Sequence, residues 1–145
     1  SDLFNFPIPE PTGVVAVVAP DEPPLLGLVS RIAPALTGGN AVVAVASETE
    51  PLAAIELAEA IATSDVPGGV VNLLTGRRAE LAPWLASHMD VNALDLTGAD
   101  GLRGDLERAA ADNVKRIVHG KPDSQSLYDI SAFLELKTVW HPIGT

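Results

Sequence analysis

The stretch "GGNAVVAVASETEPL", residues 38–52, decides the fold. Gly38, Gly39 and Asn40 are turn residues, and "AVVAVAS" (41–47) is an apolar run without alternation. A strand that is apolar on both faces is covered on both faces, as in a parallel sheet packed under helices. The segment "EPLAAIELAEAIATS" (50–64) then changes period, with Leu52, Ile55, Ala58 and Ile61 on one helical face, and "VPGG" (66–69) breaks it. The local unit is therefore turn, buried strand, helix.

That unit recurs in both directions. "VVAVVAP" (14–20) is a buried strand followed by a helix over 21–36, whose early prolines are tolerated and whose Pro34 is expected to kink or end it. "VVNLL" (70–74) is a third strand, followed by a proline-interrupted helix over 79–89. "VNALDLTG" (91–98) is a fourth strand, and residues 104–118 form a helix running into a short fifth strand. Upstream, "FPIPEPTG" (6–13) reads as an extended lead-in ending in a turn. Downstream, "HGKPDSQS" (119–126) is a polar linker, and 128–144 hold a short turn or helix and a last strand, "LELKTVW".

This alternation predicts an α/β domain: a doubly wound, mostly parallel sheet with helices on both faces and right-handed crossovers. Ligands of such sheets gather at the carboxyl ends of the strands. The polar exits Asp21, Ser47-Glu48, Thr75-Gly76 and Thr97-Gly98 are thus expected to share one rim.

Composition narrows the function. The 145 residues suit one domain, and 47% hydrophobic content supports a sizeable core. A net charge of −10, with nine scattered basic residues, argues against a nucleic-acid partner. With no cysteine, these residues offer no disulfide, thiolate metal site or thiol nucleophile. No apolar run reaches the roughly 18 residues of a membrane span. The first residues lack a basic leader segment, so cytoplasm is the expected location, and the odd start at Ser1 suggests that residues precede it. An Ala, Gly and Val bias points to a GC-rich bacterial source. His88, His119 and His141 have no ligand spacing, so no metal site is expected; Trp84 and Trp140 read as core or interface residues. No G-x-G-x-x-G is present.

At its strand exits the sequence resembles the aldehyde dehydrogenase superfamily. "PTGVVAVVAP" and "APALTGGNAVVAVASETEPL" resemble the opening of that family's cofactor domain up to its K-P-S-E segment. "VPGGVVNLLTG", "VNALDLTGAD" and "AADNVKRI" resemble later segments, in the right order, and "FLELKTVW" resembles the family's C-terminal oligomerisation strand. The resemblance implies a Rossmann-like cofactor-type domain over 1–118, a linker over 119–130 and an oligomerisation strand over 131–145. It also implies an omission. Between Ile117 and Phe133 a family member carries its catalytic domain, with the nucleophilic cysteine and the general-base glutamate; here about fifteen residues bridge the gap.

Several of the family's cofactor-facing positions are altered. The K-P-S-E lysine and glutamate, which contact the adenosine ribose, correspond to Val45 and Glu48. Losing a charge-assisted hydrogen bond removes roughly 1.5–3 kcal/mol, about ten- to a hundredfold in affinity. The P-W-N segment, near the pyrophosphate and the oxyanion hole, corresponds to Pro20-Asp21-Glu22, which places like charge where anions would bind. The simpler reading of Asp21 and Glu22 is that they solvate and cap a loop before Pro23. The T-G-S turn, which supports a phosphate, becomes Thr97-Gly98-Ala99. Arg77 and Arg78 read as a solvated pair, with phosphate attraction as the alternative. Ser47, Glu48, Thr97 and Gly98 remain as vestigial NAD(P)-binding candidates; Glu48 also reads as a helix-start carboxylate.

In the last strand, Leu134, Leu136, Thr138 and Trp140 alternate with Glu135, Lys137 and Val139. An unpaired edge invites pairing, so this strand is expected to join a partner's sheet through 133–140, or else to fold back on its own domain. The expected function is that of a catalytically inactive aldehyde dehydrogenase-like subunit, structural or regulatory. It would assemble with itself or with a full-length aldehyde dehydrogenase. The alternative is a module, or a portion of an oxidoreductase, that still holds NAD(P) weakly.

Overall fold

The computed structural model describes residues 3–113, 115–121 and 127–142. Five strands form one parallel sheet: β2 (Val14–Val18), β3 (Ala41–Val45), β4 (Val71–Leu74), β5 (Ala93–Asp95) and β6 (Arg116–Val118), where β1 is Leu3–Pro11 at the amino end. Their order is β4-β3-β2-β5-β6. The crossovers carry α1 (Pro24–Thr37), α2 (Leu52–Ala62), α3 (Arg78–Ser87) and α4 (Arg103–Ala111). The chain winds outward from β2 to β4, returns, and winds the other way through β5 and β6. The gap between the carboxyl ends of β2 and β5 is the topological switch point, where sheets of this kind bind ligands. This is the doubly wound α/β domain that the apolar runs predict.

The unbroken apolar strands are explained by two cores. Val15 and Val17 of β2 face α1 and α2 with Leu28, Ile32, Ala35, Ala54 and Phe133. Ala16 and Val18, pointing the other way, face α3 and α4 with Ala82, Ala86, Leu106 and Ala110. Every residue of β2 after Val14 is buried. Small residues at the helix contacts let the helices lie close on the sheet.

Three local expectations need correction. Pro34 does not end α1: the helix runs on to Thr37, and Gly38 donates its N–H to the Pro34 carbonyl at 3.1 Å. Within a turn of the terminus a missing N–H forfeits one bond, and the buried ring packs instead. Pro83 likewise lies inside a continuous α3.

The third correction concerns the chain's ends. Residues 6–13 are not a bare lead-in, because Leu3–Pro11 form strand β1. It pairs antiparallel with β7 (Leu134–Pro142), from Leu3 opposite Pro142 to Pro11 opposite Leu134. The last strand thus has a partner within its own chain, reached through the short helix α5 (Leu127–Ser131). Its return is bolted to the body. The Phe133 carbonyl accepts from Thr12 N (3.1 Å), Thr12 Oγ1 (2.8 Å) and Asn40 Nδ2 (3.0 Å), while the Phe133 ring is fully buried. Arg116 also donates to the carbonyls of Ala132 and Leu134.

Prolines set the ribbon's polarity. Thr12 donates toward β7, so even-numbered residues of β1 point their N–H groups at β7 and odd-numbered ones point away. Pro7, Pro9 and Pro11 are all odd. The outer edge of β1 therefore lacks donors at three alternate positions and resists extension, a common protection of sheet edges. The outer edge of β7 has no such block at Leu134, Leu136 and Thr138, and among the described residues it pairs only with β1.

Candidate functional site: the carboxyl rim of the sheet

The exits of β2, β3 and β4 meet around one carboxylate. Asp21 Oδ1 accepts from Glu48 N at 2.8 Å, Ser47 Oγ at 3.3 Å and Arg78 Nη2 at 3.0 Å; Oδ2 accepts from Arg78 Nη1 at 3.2 Å. The guanidinium also reaches the Ala19 carbonyl at 3.0 Å, and its Nε is buried without a hydrogen-bond partner. Burial by itself raises the Asp21 carboxyl. The Arg78 hydrogen bond and charge, together with the backbone N–H groups of Glu48 and Thr49, outweigh it and hold the carboxyl below its ordinary 3.8.

Ser47 and Glu48 are drawn into the same network. Ser47 Oγ accepts from Glu50 N at 3.0 Å, ordering the turn that leads into α2. The Glu48 carboxylate does not cap its own helix. It accepts the backbone N–H of Arg78, the first residue of α3, at 2.9 Å, where the helix dipole favours negative charge. Val45, at the family's lysine position, is fully buried in the sheet.

Thr97 and Gly98 lie on the other side of β2. Gly98 packs against the β2 exit so closely that a Cβ there would stand 2.2 Å from the Ala19 carbonyl carbon and oxygen. Its N–H donates to the Val18 carbonyl at 2.8 Å. Thr97 Oγ1 donates to Asp95 and accepts from Gly120 N at 2.9 Å. Thr97 is therefore occupied with the exit of β6, and it does not join Ser47 and Glu48.

Beneath Thr97 lies a group that reading the sequence missed. Arg31 of α1 and Asp95 of β5 are both fully buried and paired, with Arg31 Nε and Nη2 each 2.7 Å from Asp95 Oδ2. Asp129 of α5 adds a second carboxylate 3.3 Å from Nη1. The glycine at 120 makes room: a Cβ there would meet the guanidinium carbon at 2.1 Å. The available signal was a charge on an apolar helix face, "LVSRIAPAL", and an acid inside an apolar strand, "NALDL".

Arg77 is solvated beside Glu80, whereas Arg78 is not solvated; only 12% of its side chain is exposed. Asp21 does not merely cap a solvated loop, since it is the hub of the rim. Trp84 is not in the core: it is 76% exposed on α3. His119 contacts Arg103 and Glu107, and His88 accepts from Asp90 N. Among the described residues no group of three or more His, Cys, Asp or Glu could hold a metal, and no helix is long and apolar enough to cross a membrane. The side chains of Trp140 and His141 lie outside the described residues.

The donors of Ser47, Glu48 and Arg78 are engaged by Asp21, and one oxygen of the Glu48 carboxylate, the group that corresponds to the family's ribose acceptor, holds the Arg78 N–H.

Comparison with known proteins agrees with the fold. The chain is 38% identical over 115 residues to 2-hydroxymuconic semialdehyde dehydrogenase of Pseudomonas putida, covering 79% of this chain and 24% of that protein. It is 38% identical over 109 residues to the NADP/NAD-dependent aldehyde dehydrogenase PuuC of Escherichia coli, covering 74% and 22%. Betaine aldehyde dehydrogenase of Staphylococcus aureus, solved in complex with NAD+, superposes with a TM-score of 0.77 at 32% identity, over 83% of this chain and 24% of that one. The chain thus spans about a quarter of the length of the relatives it matches. The model of the aldehyde dehydrogenase family matches residues 2–120, which takes in the whole parallel sheet and its rim and stops short of α5 and β7. With most of its length matched by that model, this chain belongs to the aldehyde dehydrogenase family.

Proposed function

We propose that this chain is a non-catalytic member of the family that works by assembly, as a structural or regulatory subunit. The observation that carries the reading is the short connection after β6. About fifteen residues lead from Ile117 to Phe133, where the resemblance places a catalytic domain. The returning segment is locked by three hydrogen bonds to the Phe133 carbonyl and by the Arg31–Asp129 ion pair. A nucleophilic thiol is absent from all 145 residues, so these residues have no group to form the covalent adduct on which the family's chemistry depends.

The β1–β7 ribbon is the natural assembly element. With the β1 edge blocked by prolines and the Leu134 carbonyl held by Arg116, the outer β7 edge from Leu136 to Thr138 is the part of the ribbon left to add a strand. A second copy or a full-length aldehyde dehydrogenase in the cytoplasm would supply that strand. The domain boundaries that follow are 1–118 for the Rossmann-like body, 119–130 for the junction and 131–145 for the assembly strand.

The test is turnover by the purified chain with NAD+ or NADP+ and a panel of aliphatic and aromatic aldehydes. No reduced cofactor should form above buffer. Thiol-independent turnover would refute the reading. A second reading, a weak NAD(P)-binding module, is favoured by the place of Glu48 at the rim; saturable binding of NAD+ by the wild-type chain would support it.

A further inference from the structure

The donors around Asp21 form a cradle of the kind that binds an oxyanion. They come from two separate chain segments: the hydroxyl of Ser47 and the backbone N–H groups of Glu48 and Thr49 after β3, and the two terminal nitrogens of Arg78 at the start of α3. A forked guanidinium, a hydroxyl and consecutive N–H groups match a carboxylate or a phosphate equally well. The cradle sits at the carboxyl rim beside the switch point. What fills it belongs to the protein itself.

We propose that Asp21 is a tethered anion that keeps this cradle occupied and closes the rim to phosphate-bearing ligands. The carboxylate takes both ends of the Arg78 fork and the Glu48 N–H, so an incoming phosphate meets a filled site and a like charge. Glu48 reinforces the closure by holding the Arg78 backbone through α3's first N–H. Because the occupant is covalently attached, its effective concentration is high and dilution does not empty the site. With the Asp21 carboxylate removed, the cradle becomes an open receptor for a small oxyanion: inorganic phosphate, or the phosphate of a nucleotide. This inference does not rest on the assembly reading; a rim can be closed in a monomer or in a complex.

The experiment is calorimetric titration of wild type, Asp21→Ala and the double variant Asp21→Ala with Arg78→Ala, at low ionic strength. Inorganic phosphate is the first probe, and NAD+ and NADP+ the second and third. Wild type should give no saturable heat with any of the three at millimolar concentration. Asp21→Ala should bind phosphate, and loss of Arg78 should weaken that binding by about tenfold or more. NADP+ bound more tightly than phosphate would identify a nucleotide as the ligand the cradle suits, and phosphate alone would identify a free oxyanion. If Asp21→Ala is unfolded in phosphate-free buffer, phosphate should restore its circular dichroism, since the anion replaces the missing group. The proposal is overturned if the folded Asp21→Ala chain ignores phosphate, if phosphate fails to rescue an unfolded one, or if wild type binds phosphate as well as the variant does.

Discussion

Replacing Asp95 with Ala should be among the most destabilising single changes in this chain. Asp95 is fully buried and accepts from Arg31 Nε, Thr97 N and Thr97 Oγ1, with Arg31 Nη2 2.7 Å away. Among the described residues, its removal leaves the buried Arg31 guanidinium with Asp129 at 3.3 Å as its remaining charged partner. Breaking a buried pair from one side costs about 3–5 kcal/mol. A 145-residue domain has a total stability of roughly 7–22 kcal/mol. At about 0.3 kcal/mol per degree for this length, the melting temperature should fall by roughly 10–16 °C. The assay is urea denaturation at constant slope for Asp95→Ala, Arg31→Met and the double variant Arg31→Met with Asp95→Leu. Each single variant should lose several kcal/mol. The double variant should recover most of it, because no unpaired charge is left in the core. Single losses below about 1 kcal/mol would mean that the pair is solvated, and the reasoning would be wrong.

Gly98→Ala should destabilise by more than about 2 kcal/mol in the same assay, because the 2.2 Å approach to the Ala19 carbonyl cannot be relieved by a side-chain rotation. Phe133→Ala should cost about 3–5 kcal/mol, because the ring is fully buried in the α1-side core; a change within experimental error would detach the C-terminal return from that core. Asp21→Asn should alter the acid limb of the stability curve. The folded carboxyl lies below its ordinary 3.8, so its ionised form stabilises the fold fully above the normal carboxylate range. That contribution is lost as the pH falls through the depressed value, and the difference between wild type and variant should shrink toward zero in strong acid. A difference that grows on acidification would reverse the assigned sign.

The sheet was legible because burial on both faces leaves a simple mark. "VVAVV" and "AVVAV" have no polar side, and only a parallel sheet between helical layers removes both faces from water. The shared rim followed from topology, and Asp21, Ser47 and Glu48 do meet there. Their roles were not legible, since they depend on a third segment: Arg78, read as solvated, turns inward over 50 residues from Asp21 in sequence. The Arg31–Asp95 pair was missed for the same reason, its two halves lying 64 positions apart. The ribbon was half legible. The alternation of β7 announced a strand needing a partner, whereas three prolines hid β1; its donors survive only at alternate positions, which suffices for one edge.

The most direct test of the central claim is the native mass of the untagged protein drawn from its own cells. One chain has a mass of 15.0 kDa. A larger mass is predicted, holding either a second copy or a full-length aldehyde dehydrogenase, and charge substitutions along 134–138 should reduce it to that of the single chain. A monomer at cellular concentration, unchanged by those substitutions, would contradict the account.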